Sequence, residues 1–358
     1  MKLKLILGIA AALLIAALVL PGCSTEPQET QTPEPTAEPT AEPAPVHVWK
    51  FQAHMAPTSV TTSWNLDRFI EMIDEATNGQ VKIERFPNDS LVPSMEMLNA
   101  TNTGTLDLYV AVGGYWQGTI PVAAVENGLP GGWRTAEEAE AILWDKGLEE
   151  LARQEYAKHN IHLITDFACL PGFLTYHMSK PVTGIEDMQG KKIRAFGPYL
   201  DLTGNLGASP VSMALGEVYS GIATGALDGA FLATSYSFPN KYYEVAPYLV
   251  FPPVDYGGSH HWNVNMDRWN ELTPELQQTV MTTAKEWAHW HSSVYMPENA
   301  PTRETLEEAG FKVLDLPDSY AQKLNEASQK YWDDIAASDP VAAQGVQIVR
   351  DYLKEIGR

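Results

Sequence analysis

Over His47–His54 (HVWKFQAH) apolar and polar residues alternate, which is the period of a half-covered strand. The spacing then changes. Leu66, Phe69, Ile70 and Ile73 fall on one face of a helix that Gly79 ends. VKIERFP from Val81 is a second strand, LVPSMEMLNATNTG a helix stopping at Gly104, and LDLYVAV a third strand. Strand, helix, strand, helix, strand at this rhythm predicts a doubly wound α/β unit on a parallel sheet. Thr135 and Glu138 form a Thr-x-x-Glu capping box opening one or two helices, and IHLITDF and FLTYHMS are strands leading to a second unit.

That second unit reads KKIRAF as strand, a helix around YLDLTGNLG, GEVYSGIATG as helix, then LDGAFLA and APYLVFP as strands. HHWNVNM returns as a strand, followed by a long helix from about Pro274 to Tyr295, the strand FKVLDL and two closing helices. The pattern predicts two α/β lobes of similar size joined by more than one crossing.

The first residues do not fit this rhythm. Lys2 and Lys4 precede an uninterrupted apolar run that ends in Leu20-Pro21-Gly22-Cys23. Residues 1–22 therefore read as a secretory signal peptide. Residues 23–46 follow as a Pro/Thr/Glu-rich tether with almost nothing apolar to bury, expected to be extended and disordered. Gly22-Cys23 resembles a bacterial lipobox, with Pro21 departing from its usual small residue. That resemblance makes Cys23 the lipid-modified N-terminus, anchored at the extracytoplasmic face of a membrane, in a periplasm or at a cell surface.

Composition narrows the function. Of 358 residues, 45 are Asp or Glu and 24 Lys or Arg, a formal charge of −21, which argues against a nucleic-acid partner. The second of two cysteines, Cys169, has no intrachain partner and reads as a small buried apolar residue. Catalytic signatures are thin: there is no Gly-x-Ser-x-Gly elbow, no His-Glu-x-x-His and no phosphate-cradling glycine loop. Adjacent His260 and His261 point to opposite faces of a strand, and His289 and His291 diverge on a helix. The expectation is no enzyme, no cofactor and no metal.

In this acidic chain, Arg194 stands on a short apolar strand in GKKIRAFGP. The surrounding run, from MSKPVTGIEDMQGKKIRAF through LGASPVSMALGEVYSGIATGALDG, resembles the DctP-like solute-binding proteins of tripartite ATP-independent periplasmic (TRAP) transporters. YYEVAPYLV, WNELTPELQQTV and NGQVKIERFPNDSL extend the resemblance over nearly the whole body. It implies a two-lobed periplasmic-binding-protein-like α/β fold of class II type, with a hinge and a long helix crossing both lobes. Residues 47–170 and 258–300 would form lobe I, 171–257 and 301–340 lobe II, and 341–358 a C-terminal helix. A monomer would trap a small organic acid and deliver it to a permease with a small and a large membrane subunit.

The family's arginine of the GxKxR strand falls on Arg194, and a guanidinium suits a carboxylate because it binds with direction as well as charge. Other branch-specific polar positions are apolar here. Leu232 stands where some branches have asparagine, and Leu174 where some have a second cation. Phe173, Phe231 and Leu232 stand where a keto-acid branch holds a metal. The expected ligand is therefore a monocarboxylate with an apolar or aromatic body. Tyr115 and Trp116 after the third strand, with Tyr176 and Tyr236, are the aromatic candidates, and His54 and Ser235 the polar ones. Two rivals remain at this point: a binding protein serving an ATP-driven importer or a sensor, and a tethered hydrolase using Ser212 or Ser235.

Overall fold

The computed structural model describes residues 45–54, 65–170, 172–213 and 215–358. The signal peptide, Cys23 and all of the tether except Pro45 and Val46 lie outside these residues, and the described residues form one compact unit. Among the described residues, eleven strands make two sheets. They are β1 (His47–Ala53), β2 (Val81–Phe86), β3 (Leu108–Ala111), β4 (Ile161–Cys169), β5 (Leu174–Met178), β6 (Lys192–Ala195), β7 (Ser209–Ser212), β8 (Gly229–Ala233), β9 (Tyr248–Phe251), β10 (Gly258–Asn265) and β11 (Lys312–Asp315).

The first sheet runs β2-β1-β3-β10-β4 and the second β11-β9-β5-β8-β6-β7. Strands β2, β1 and β3 are parallel, as the strand–helix rhythm predicts. Neither sheet is wholly parallel, however: β10 lies antiparallel between β3 and β4, and β5 antiparallel between β9 and β8. Both belong to the chain's crossings. The chain leaves the first sheet through β4 into β5 and returns from β9 into β10, so each arriving strand runs against its hosts. The edge strand β7 (SPVS) carries no apolar alternation and contains Pro210, a residue that edges tolerate.

Each sheet is covered on both faces. On one side of the first, Phe69 stacks on Trp262 at 3.8 Å and the helix Pro274–Trp290 adds Trp287. Its other side holds Tyr109, Trp116, Trp133 and the helix Leu148–Ala157. The expected long helix keeps regular geometry only from Pro274 to Trp290. A widened turn follows over His291–Tyr295, just before Pro297, which has no N–H to donate. At the expected capping box, Thr135 Oγ1 accepts from Glu138 N–H, but the Glu138 carboxylate accepts from Arg134 N–H rather than closing on Thr135.

The helix Asp318–Ser338 is shared between the cores. Tyr320, Leu324 and Ala327 pack with the second sheet, whereas Tyr331 and Trp332 pack with the first. The two halves of this helix therefore pack in different cores. The last helix, Pro340–Glu355, covers the first sheet's core with Ala342, Val346 and Val349. Among the described residues no helix is long and apolar enough to cross a membrane.

Candidate functional site

On β6, Ile193 and Ala195 turn into the second sheet's core and Arg194 alternates to the other face. Arg194 is 7% exposed, with Nε donating to the Met213 carbonyl at 3.2 Å and Nη1 to the Phe231 carbonyl at 3.4 Å. Met213 directly follows the carboxyl end of β7 and Phe231 is the middle residue of β8, the two strands that flank β6 in parallel; open α/β sheets present ligand sites beyond their carboxyl ends. The Phe196 ring lies under the guanidinium, 5.0 Å from its carbon. Among the described residues no carboxylate pairs with Arg194. Burial pulls its pKa below the ordinary value, and Tyr242, Tyr236 and Tyr115 act in the opposite direction. Guanidinium stays charged regardless, so this is a buried cation with donor capacity left over.

Tyr115 approaches from the first sheet. It follows β3 as His54 follows β1, and the Tyr115 hydroxyl lies 3.0 Å from His54 Nδ1. Burial is the main reason that the His54 pKa falls to about 3, so its ring is neutral at ordinary pH. Burial first and Asp89 second raise the Tyr115 hydroxyl, while Arg194 lowers it. This mutual influence places Tyr115 and Arg194 in one electrostatic neighbourhood although they come from different sheets. Tyr236, half-buried and 5.9 Å ring to ring from Tyr242, completes the group. Tyr115 and Tyr236 thus act electrostatically on Arg194, and His54 is hydrogen-bonded to Tyr115. They offer a fixed cation, phenol hydroxyls and a neutral imidazole, a set suited to one carboxylate and its polar neighbour.

The other candidates sit elsewhere in the packing. Trp116 is 5% exposed and lies in the first sheet's core against Tyr109 and His261. Tyr176 is buried, with its hydroxyl 3.0 Å from Thr203 Oγ1. The Phe231 ring stacks on Tyr199 at 4.2 Å, so its carbonyl, not its ring, meets Arg194. Leu232 is the exception, lying on the face of β8 that Ala230 shares with its register partner Arg194, beside Leu249; Leu174 is buried among the second sheet's residues. Phe173 is half-buried against Phe251, and Ser235 is buried in the short helix Thr234–Ser237.

Two residues beside Arg194 were missed by sequence reasoning. Phe196 lies just past the end of β6, where alternation no longer fixes direction, and its ring meets the guanidinium. Tyr242 gave no signal either, since only the chain's return brings it near. For the hydrolase reading, Ser237 is a serine whose hydroxyl lies on a histidine, 2.7 Å from His177 Nε2. Both residues are fully buried, and the histidine's other nitrogen meets the Thr175 carbonyl rather than an acid. Cys169 is buried and its thiol is pushed up to about 12, which keeps it unreactive. A separate cavity of about 570 Å³ is bounded by Pro130, Pro252, Tyr256, Leu324, Trp332 and Arg350, and none of the candidate residues lines it.

Known proteins resemble the chain along this whole body. It is 26% identical to a solute-binding protein of Roseobacter denitrificans over 82% of this chain and 86% of that one. It is also 26% identical to the monocarboxylate 2-oxoacid-binding periplasmic protein of a Nostoc strain, over 83% and 84%. Among solved structures, a TRAP periplasmic solute-binding protein of Colwellia psychrerythraea, with bound calcium and pyruvate, superposes with a TM-score of 0.76. That match covers 87% of this chain and 95% of the other at 20% identity, and so concerns the fold. The sequence profile of DctP, described as bacterial extracellular solute-binding protein, family 7, matches residues 52–339. The chain belongs to this family of bacterial extracellular solute-binding proteins.

Proposed function

We propose that the protein is the extracytoplasmic receptor of a TRAP transporter and captures a monocarboxylate with an apolar or aromatic body between two lobes. The observation that carries this reading is Arg194, a buried cation without a carboxylate partner among the described residues, in the neighbourhood of Tyr115 from the other sheet. A buried charge is normally paired, and an incoming carboxylate would supply the pair. Phe196 and the tyrosines suit an apolar ligand body with one polar end. The 2-oxoacid specificity in the name of the Nostoc relative is compatible with the same class.

In this reading residues 1–22 direct export, Cys23 carries the lipid anchor and the Pro/Thr/Glu tether lets the receptor reach a permease of small and large membrane subunits. The receptor itself acts as a monomer and performs no catalysis. A thermal-shift screen of the full-length protein against small organic acids tests it. A ligand at 100 times its dissociation constant should stabilise the folded state by about 2.7 kcal/mol. A monocarboxylate hit that disappears in Arg194→Ala supports the reading; hits confined to sugars or peptides, or a hit indifferent to that substitution, overturn it.

A further inference from the structure

Beneath the first sheet's aromatic layer lies a cluster that the ligand reading does not use. Glu126 closes the helix Val122–Glu126, Asp166 stands on β4 and His261 on β10, and all three are fully buried. His261 Nδ1 is 2.8 Å from Glu126 Oε1, and the Tyr156 hydroxyl donates to Glu126 Oε2 at 3.3 Å. One ligand-type atom from each of the three lies within 4.8 Å of the others. We propose that Glu126, Asp166 and His261 form a binding site for one divalent transition-metal cation.

Acidic residues gathered together would not suffice for this, and two observations add to them. Neither Asp166 carboxylate oxygen accepts from an N–H or a hydroxyl, although the side chain is wholly removed from water, and its side-chain neighbour is the Glu126 carboxyl group. The nearby Glu149 shows how this chain otherwise treats a buried carboxylate. It takes Arg153 at 2.7 Å, Trp144 Nε1–H, Thr165 Oγ1–H and the Asp166 N–H. No lysine or arginine reaches Glu126 or Asp166 among the described residues. The second observation is Asn263, two residues from His261 and so on the same face of β10. It is buried with its Oδ1 unpartnered while its amide donates to the Tyr109 hydroxyl.

Two carboxylates and an imidazole neutralise a 2+ ion, and this nitrogen–oxygen set suits zinc or manganese. The site is separate from Arg194, and its role is structural. The Glu126 carboxylate fills the space that a Cβ at Gly113 would take, two residues before Tyr115, so an ion there would help fix the turn that carries Tyr115.

The test is elemental analysis of full-length protein purified without metal-affinity steps, then stripping with EDTA and titration with ZnCl2 or MnCl2 while the melting temperature is followed. The expected result is about one ion per chain, a lower melting temperature on stripping and its recovery with zinc or manganese. Glu126→Gln and Asp166→Asn should each weaken binding by more than the roughly 10–100-fold typical of losing an outer-shell partner. The exposed pair of His289 and Glu140, 2.9 Å apart, is the competing place for an ion, so His289→Ala is the control. Protein that contains no ion and shows no melting shift with either salt overturns the proposal and makes the cluster an acid pair sharing a proton. An ion retained by Asp166→Asn and lost in His289→Ala overturns it as well.

Discussion

The Tyr199 hydroxyl donates to Asp255 Oδ2 at 3.2 Å, joining the helix Pro198–Asn205 to the segment by which the chain leaves the second sheet. Asp255 is buried, and burial pushes its pKa up to about 7. The backbone N–H of Tyr256, the Tyr199 hydroxyl and the N–H groups of Gly257 and Gly131 hold it down in part. The folded-state pKa is raised above the unfolded carboxylate value, so the folded protein keeps this proton longer. Stability should then be unaffected by the group below about pH 4 and decline as pH rises towards 7, by up to about 4 kcal/mol. Asp255→Asn should flatten that part of a denaturant-midpoint profile; a profile unchanged from the parent would refute the assignment.

Arg194→Ala should remove the ligand-induced rise in melting temperature and weaken a monocarboxylate by roughly 10- to 150-fold, the equivalent of about 1.5–3 kcal/mol. The ligand-free protein should lose little stability, because an unpaired buried cation leaves with the side chain. Arg194→Lys should recover only part of the affinity, since an ammonium keeps the charge and loses the planar fork. Calorimetric titration of the three proteins distinguishes these outcomes.

Tyr115 and Trp116 are neighbours in sequence with different expected roles. Tyr115→Phe takes a hydroxyl from His54 and should lower stability by about 0.5–1.5 kcal/mol while weakening the ligand. Trp116→Ala empties part of a core and should destabilise by about 3–5 kcal/mol. Trp116→Phe, milder, should leave the affinity nearly unchanged. An affinity loss in Trp116→Phe as large as in Tyr115→Phe would contradict this division.

Gly113 has no room for a side chain, because a Cβ there would run into the Ala123 carbonyl and the Glu126 carboxylate. Gly113→Ala should cost about 1–3 kcal/mol through overpacking. Gly118, with open space around it and an exposed backbone, is the control, and Gly118→Ala should be nearly neutral by thermal melting.

The legible parts of the molecule were those written in local periods. Helical spacing at Leu66, Phe69 and Ile73 and alternation in β1 marked real elements, and a motif contiguous along one strand singled out Arg194 as a candidate. What depends on folding back was not legible. Tyr242 reaches Arg194 from a segment far along the chain, and Glu126, Asp166 and His261 meet from separate elements. Adjacent residues in a short turn also hide their directions, so nothing in VGGYWQG said that Trp116 faces the core while Tyr115 meets His54. β7 escaped because an edge strand of Ser, Pro and Val lacks the alternation that reveals a covered face.

The helix Asp318–Ser338 has 21 residues and so spans about 32 Å as a single rod. One end is seated by Tyr320 and Leu324 and the other by Tyr331 and Trp332, each in a different core. The two cores thus share one rigid element rather than standing as independent bodies. Repacking around Trp332 would be felt through this rod by a core to which Trp332 contributes no atom.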